Sequence, residues 1–164
     1  MQASPEPLSL LVAAVRRSLK AMVLRRAEPL GLTVLQFWTL VVALEAPGAS
    51  QADLARRVRC DEPSVSRVVA SLSRRGWLRT RRHVEDRRRI LVELTATGRA
   101  LARRLAPIAA EVRAEVEAPL DHVEREALRI SLTRVATHLQ QRLQDAAAEP
   151  TTPARARRRA GGDR

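Results

Sequence analysis

The chain has 164 residues, a formal net charge of +12 and an isoelectric point near 11.7. This length normally makes one domain with a substantial core, and the charge indicates a polyanionic partner, either nucleic acid or an acidic membrane surface. The single cysteine, Cys60, excludes an intramolecular disulfide. Because no segment has the apolar length of a membrane span and the N-terminus lacks signal-peptide order, we expect a cytoplasmic protein without a membrane partner.

The N-terminal part of the chain predicts an amphipathic helix behind a short flexible tail. Residues 1–7 contain two prolines and form the predicted tail. From about residue 8 to 28, apolar residues recur at three- and four-residue spacing and basic residues occupy the other face. Pro29 and Gly31 end this helix.

Capping signals predict three shorter helices in the next segment. Their N-terminal signals are Thr33 with Gln36, Ser50 with Asp53, and Asp61. In the first two pairs each side chain can bind a free amide at the start of the helix. The first helix ends before the Pro47-Gly48 pair. The third runs from about Glu62 to Arg75 and closes at Gly76, which suits the left-handed conformation past a helix end.

The rest of the chain predicts a hairpin and two long helices. The stretches "WLRTRR" and "RILVELT" read as strands on either side of "HVEDR". Two helices follow over residues 96–145, and Pro107 is expected to kink the first. The second carries an apolar stripe: Leu128, Leu132, Val135, Leu139 and Leu143. Residues 146–164 have no apolar period and are predicted to be a disordered basic tail.

The element order predicts a DNA-reading unit. A short helix, a tight turn and a second helix form a helix-turn-helix, and the hairpin after it is a wing placed to reach the minor groove. We therefore predict a mainly α fold with a small β-hairpin, in one domain over residues 8–145. Its winged helix-turn-helix reading head spans about 33–95. The apolar stripe of the last helix could simply be core. The flanking helices, about 8–28 and 96–145, carry more apolar surface than this head can cover, which favours a homodimer instead.

These motifs resemble the MarR family of winged-helix transcriptional regulators. The segment "DRRRILVELTATGRAL" fits the family's wing, "PSVSRVVASLSRRGWL" its recognition helix, and "GLTVLQFWTL" the start of its second helix. The resemblance implies an obligate dimer, and a repressor that small phenolic or anionic molecules release. The family often has an aspartate at the first wing position, where this chain has His83.

Individual residues are expected to carry this function. The predicted DNA-binding residues are Gln51, Ser64, Ser66, Arg67, Arg87 and Arg88. Arg67 is predicted to fork onto a guanine, although the same residues would also suit an ordinary solvated helix face. By the resemblance, Arg88 is the minor-groove arginine and Asp86 holds the wing in shape. Arg87 and Arg89 are expected to contact phosphate or solvent.

The sequence favours a regulator over an enzyme. No catalytic triad, phosphate loop or metal-ligand spacing is present, so neither a metal site nor a cofactor is predicted. A small-molecule effector is expected to bind near Trp38, and Cys60 is read as a small hydrophobic residue. The prediction is a dimeric, sequence-specific repressor of a pseudo-palindromic operator in double-stranded DNA. The alternatives are a nonspecific or architectural DNA-binding protein without an effector, and a winged helix that binds proteins.

Overall fold

The computed structural model describes residues 6–148, which are mainly helical with one two-stranded hairpin. In chain order the elements are α1 (Leu8–Ala27), a 3₁₀ turn (Glu28–Leu30), α2 (Val34–Glu45), α3 (Gln51–Arg57), α4 (Glu62–Arg74), β1 (Leu78–Arg82), β2 (Ile90–Leu94), α5 (Ala96–Glu117) and α6 (His122–Ala148). This order confirms the predicted fold class. The chain divides into two compact units, an N-terminal unit that ends at Val116 and a C-terminal unit that begins at Glu117.

Local capping sets the boundaries of the three short helices, as predicted. Thr33 and Gln36 form a capping box at the start of α2, with hydrogen bonds of 3.2 and 2.9 Å. A second capping box begins α3, and the Asp61 carboxylate accepts the backbone N–H of Ser64 over 2.8 Å at the start of α4. These side chains satisfy backbone amides that have no partner inside the helix.

The hairpin is anchored to the segment that precedes α3. Strands β1 and β2 pair antiparallel from Leu78 opposite Leu94 to Arg82 opposite Ile90. The backbone N–H of Val92 also donates to the carbonyl oxygen of Ala49 over 2.9 Å. The base of the wing is therefore held by the helix-turn-helix as well as by its own ladder.

The core of the N-terminal unit gathers side chains from every helix in it. The largest fully buried ones include Phe37, Leu40, Leu54, Leu72 and Leu105. The first turn of α5 lies against the backbone of Trp77, and this close contact requires a glycine at position 98. A Cβ on Gly98 would lie 1.8 Å from the carbonyl oxygen of Trp77. Pro107 lies inside α5, which continues across it.

The C-terminal unit contains α6, which exposes its predicted apolar stripe. Leu128, Leu132, Val135, Leu139 and Leu143 are all exposed. The helix continues to Ala148, three residues into the predicted tail, because alanine is the strongest helix former. The remainder of that tail, residues 149–164, and residues 1–5 of the N-terminal tail lie outside the described residues.

No single helix within residues 6–148 is both long and apolar enough to cross a membrane. The segments Leu8–Leu30 and Val34–Glu45, which meet at 84°, reach the required length and composition only as a bent pair.

Candidate nucleic-acid interface

Helix α4 is amphipathic, and its outer face carries arginine. Val65, Val69 and Leu72 are fully buried on the inner face, while Arg67 is exposed on the outer one. The Nη2 atom of Arg67 donates a hydrogen bond of 2.9 Å to the hydroxyl of Ser64. This contact holds the guanidinium close to the first turn of the helix.

The two predicted serines lie at the margins of this outer face rather than at its centre. Ser64 and Ser66 are both half-buried, and a rotation of 100° per residue puts them on opposite sides of Arg67. The centre of the face holds residues that the sequence analysis did not single out: Pro63, Ala70 and Arg74, all exposed. Arg74 lies seven residues, or two helical turns, beyond Arg67, and this spacing was the signal available in the sequence.

The loop at the tip of the wing is shaped by two side chains that accept backbone hydrogen bonds. The Nδ1 atom of His83 accepts the N–H groups of Glu85 and Asp86, each over 3.2 Å. The carboxylate of Asp86 accepts the N–H of Arg88 over 3.1 Å. The imidazole therefore supplies an acceptor at the position where the resemblance leads us to expect an aspartate. Arg87 and Arg88 are exposed beyond this braced turn.

The start of α3, the start of α4 and the wing border one open cavity of about 380 Å³. Gln51, Glu62 and Arg88 all line it. The structure thus brings together two of the predicted DNA-binding residues, Gln51 and Arg88, which are far apart in the sequence. Two acidic residues, Asp53 and Glu62, line the cavity beside its arginines.

Asp53 connects the wing to α3, a role that the sequence analysis missed. Its carboxylate accepts the N–H of Ser50 over 3.1 Å and the Ser50 hydroxyl over 2.6 Å. It also forms ion pairs with Arg56 and, over 3.2 Å, with Arg89. The hydrogen bonds from Ser50, followed by the nearby arginines, hold the pKa of Asp53 below its ordinary value. Arg89 is therefore paired with Asp53 while its side chain remains half exposed.

Trp38 lines a separate cavity of about 400 Å³ in the N-terminal unit. Its other lining residues are Val42, Glu45, Arg57, Val58 and Arg113. Arg113 forms an ion pair of 2.7 Å with Glu45, and its guanidinium carbon lies 5.8 Å from the centre of the Trp38 ring. The cavity therefore combines one aromatic wall with two cationic groups.

The single thiol and the acidic side chains do not assemble a metal site among residues 6–148. Cys60 is half-buried just before α4, and its Sγ lies 3.6 Å from the carboxylate of Asp61.

Comparison with known proteins gives a family match to the central part of the chain and a relative that covers most of it. A family model described as the MarR family matches residues 30–89. The HTH-type transcriptional repressor Rv2887 of Mycobacterium tuberculosis is 33% identical over 118 residues, which cover 72% of this chain and 85% of the relative.

Solved structures share the winged architecture. The Staphylococcus aureus MepR–DNA complex superposes with a TM-score of 0.71 at 24% identity and covers 82% of this chain and 99% of MepR. The structure of Bordetella bronchiseptica BpsR, whose DNA binding is regulated by 6-hydroxynicotinic acid, gives a TM-score of 0.68 at 26% identity. It covers 83% of this chain and 97% of BpsR.

Proposed function

Since the chain belongs to the MarR family of winged-helix transcriptional regulators, we propose that it is a homodimeric repressor that binds a pseudo-palindromic operator in double-stranded DNA. The observation that carries this proposal is the joint placement of the predicted contacts. Arg67 is exposed on the outer face of α4, and Gln51 and Arg88 line the cavity between the two helix starts and the wing. This is the arrangement that a helix in the major groove and a wing in the minor groove require.

In this mechanism α4 is the recognition helix. The rise of 1.5 Å per residue separates Arg67 from Arg74 by roughly 10 Å along the axis, or about three base pairs. Arg67, oriented by Ser64, forks onto a guanine, and Arg74 contacts a guanine or a phosphate at the far end. Ser66 contacts phosphate at the edge of the same face. Arginine contacts to phosphate supply most of the affinity, and contacts to base edges supply the choice of sequence.

The wing completes the reading head from the neighbouring minor groove. Arg88 enters this groove, where a narrow width concentrates negative potential, and Arg87 contacts phosphate. Asp86 and His83 hold the tip in shape through the hydrogen bonds described above. Gln51, in the first turn of α3, contributes a polar contact to a phosphate.

The homodimer is supported by apolar faces that the chain itself leaves uncovered. On α6, residues 128, 132, 135 and 139 alternate between four- and three-residue spacing, the repeat of a helix that packs along another helix. The N-terminal half of α1 exposes Leu8, Leu11, Val12 and Val15. Two copies would bury these faces against each other and present two reading heads to the two halves of a palindrome.

The effector in this proposal is a small aromatic anion that binds beside Trp38. The indole offers a stacking surface, and Arg57 and Arg113 offer charge-assisted hydrogen bonds to a carboxylate. Binding there would compete with the ion pair between Arg113 and Glu45 and shift the spacing of the reading heads. Such an effector must prefer one spacing of the heads to change DNA affinity.

The experiment that tests the proposed function selects palindromic duplexes from a random library and titrates the best one by fluorescence anisotropy. A scrambled duplex of the same composition is the reference, at several salt concentrations. We expect the selected duplex to bind about 10³-fold more tightly or better. A ratio near one would support the nonspecific architectural alternative, and absence of binding even at low salt would support a protein-interaction module.

A further inference from the structure

The end of α4 is tied to the segment that joins α1 to α2. The Nη1 atom of Arg75, the residue after the last turn of α4, donates a hydrogen bond of 2.8 Å to the carbonyl oxygen of Gly31. One turn earlier in α4, the hydroxyl of Ser71 accepts a hydrogen bond of 3.2 Å from Nε2 of Gln36. These two side-chain hydrogen bonds therefore tie this end of α4 to the connection between α1 and α2 and to the first turn of α2.

The guanidinium of Arg75 also packs on an aromatic ring that is itself held in place. Its central carbon lies 3.8 Å from the centre of the Trp77 ring, a cation–π contact. The backbone N–H of Trp77 donates to the carbonyl oxygen of Leu72 over 3.0 Å, and the carbonyl oxygen of Trp77 accepts the backbone N–H of Thr95 over 3.1 Å. These bonds fix the main chain of Trp77, and its half-buried side chain packs against the core. The ring therefore offers a surface that restricts where the guanidinium can lie.

Gly31 permits this close approach. Its φ of +64° lies in the left-handed region, which glycine adopts without steric cost. A Cβ at this position would lie 3.3 Å from Nη2 of Arg75, so a larger residue would crowd the guanidinium as well as strain the backbone. The carbonyl of Gly31, the guanidinium of Arg75 and the ring of Trp77 form what we call the Arg75 clamp.

We propose that Arg75 is a positioning residue whose clamp fixes the angle between α1 and the recognition helix, and so sets the half-site spacing that the dimer accepts. The inference rests on the proposed function, in which α1 lies in the dimer interface and α4 in the major groove. With α1 held by the partner subunit, a rigid junction at Gly31 fixes the distance between the two copies of α4. Lysine cannot replace Arg75 here, because a planar guanidinium can stack on the Trp77 ring and donate to the Gly31 carbonyl at the same time, whereas an ammonium has no planar group.

The test compares Arg75→Lys with the wild type on two duplexes. The first is the palindrome that the wild-type protein selects from a random library, and the second is the same duplex with one base pair inserted at its centre. The insertion moves the half-sites apart by about 3.4 Å and rotates one relative to the other by about 35°. The wild type should discriminate strongly against it. Arg75→Lys should reduce this discrimination by about three- to tenfold, the size expected for one net hydrogen bond.

Two further variants separate positioning from stability and charge. Arg104→Lys makes the same change at an exposed arginine on α5 and should leave the discrimination unchanged. Trp77→Leu removes the platform, keeps an apolar side chain and should reduce discrimination as Arg75→Lys does.

Urea unfolding of each variant is measured in parallel, because a purely structural role would lower the unfolding midpoint and leave the discrimination unchanged. That result, with palindrome binding retained, overturns the proposal. Failure of the wild type to select any palindrome overturns the proposed function, and the spacing role of the clamp with it.

Discussion

Replacement of Asp53 should both loosen the wing and destabilise the fold, because its carboxylate pairs with Arg89 of the wing and also accepts the hydrogen bonds of Ser50 at the start of α3. In Asp53→Ala the two hydrogen bonds from Ser50 are lost, each worth about 1 kcal/mol for a side chain that is 25% exposed. The pair with Arg89, which is half exposed, adds roughly 0.5 kcal/mol, and the more exposed Arg56 adds less. We therefore expect the free energy of unfolding to fall by about 2–3 kcal/mol.

Asp53→Asn separates the charge from the hydrogen-bond acceptor. The amide keeps one acceptor oxygen for Ser50 and loses both ion pairs, so the expected loss at neutral pH is about 1 kcal/mol. Folding lowers the pKa of Asp53, so the carboxylate contributes stability above its unfolded pKa, and this contribution is lost as pH falls through the lower folded value. The difference in the free energy of unfolding between wild type and Asp53→Asn should be constant from pH 7 to 5 and should decrease only below about pH 4.

The assay is urea unfolding followed by circular dichroism, with DNA titrations beside it. Glu85→Gln removes one negative charge from the exposed surface of the wing and serves as the charge control. Asp53→Asn also frees Arg56 and Arg89, so affinity for scrambled DNA should rise while preference for the selected palindrome falls. Equal unfolding midpoints for Asp53→Asn and Glu85→Gln would refute the reasoning.

Three other changes test separate parts of the structure. Arg88→Ala should weaken binding to the selected palindrome by about 1–3 kcal/mol in a fluorescence titration, and unchanged affinity with an intact dimer would remove its minor-groove role. Val135→Asp should dissociate the dimer in analytical ultracentrifugation. Ile130→Asp is the control, because Ile130 is equally exposed at 51% but lies on the opposite side of α6, and it should leave the dimer intact. If both variants are monomeric, or both are dimeric, the stripe is not the interface. Gly98→Ala should destabilise by about 3 kcal/mol in thermal unfolding, since its Cβ would meet a backbone oxygen at 1.8 Å. Gly48→Ala is the control, because a Cβ on Gly48 would meet no atom within 4 Å and would only strain a left-handed backbone, so the free energy of unfolding should fall by about 1 kcal/mol. A smaller loss for Gly98→Ala than for Gly48→Ala would contradict the close contact between Gly98 and Trp77.

The sequence was sufficient wherever a structural decision depends on residues a few positions apart. Thr33 with Gln36, Ser50 with Asp53, and Asp61 set helix starts because a side chain three residues away can reach a free amide. Gly76 ends α4 because only a few residues adopt a left-handed backbone easily. These local signals, with the apolar periods between them, predicted the order of the helices and the hairpin.

Tertiary structure decided the contacts between residues that are distant in the chain. Asp53 pairs with Arg89 across 36 residues and Arg75 reaches Gly31 across 44, and no local pattern distinguishes these arginines from the others in the sequence. On the outer face of α4, by contrast, the seven-residue spacing from Arg67 to Arg74 was already present in the sequence. The structure added that both arginines are exposed whereas the two predicted serines are half-buried. Local chemistry specifies where each element begins and ends, whereas the packing of elements against one core determines which of many equivalent arginines lies beside which carboxylate, carbonyl or ring.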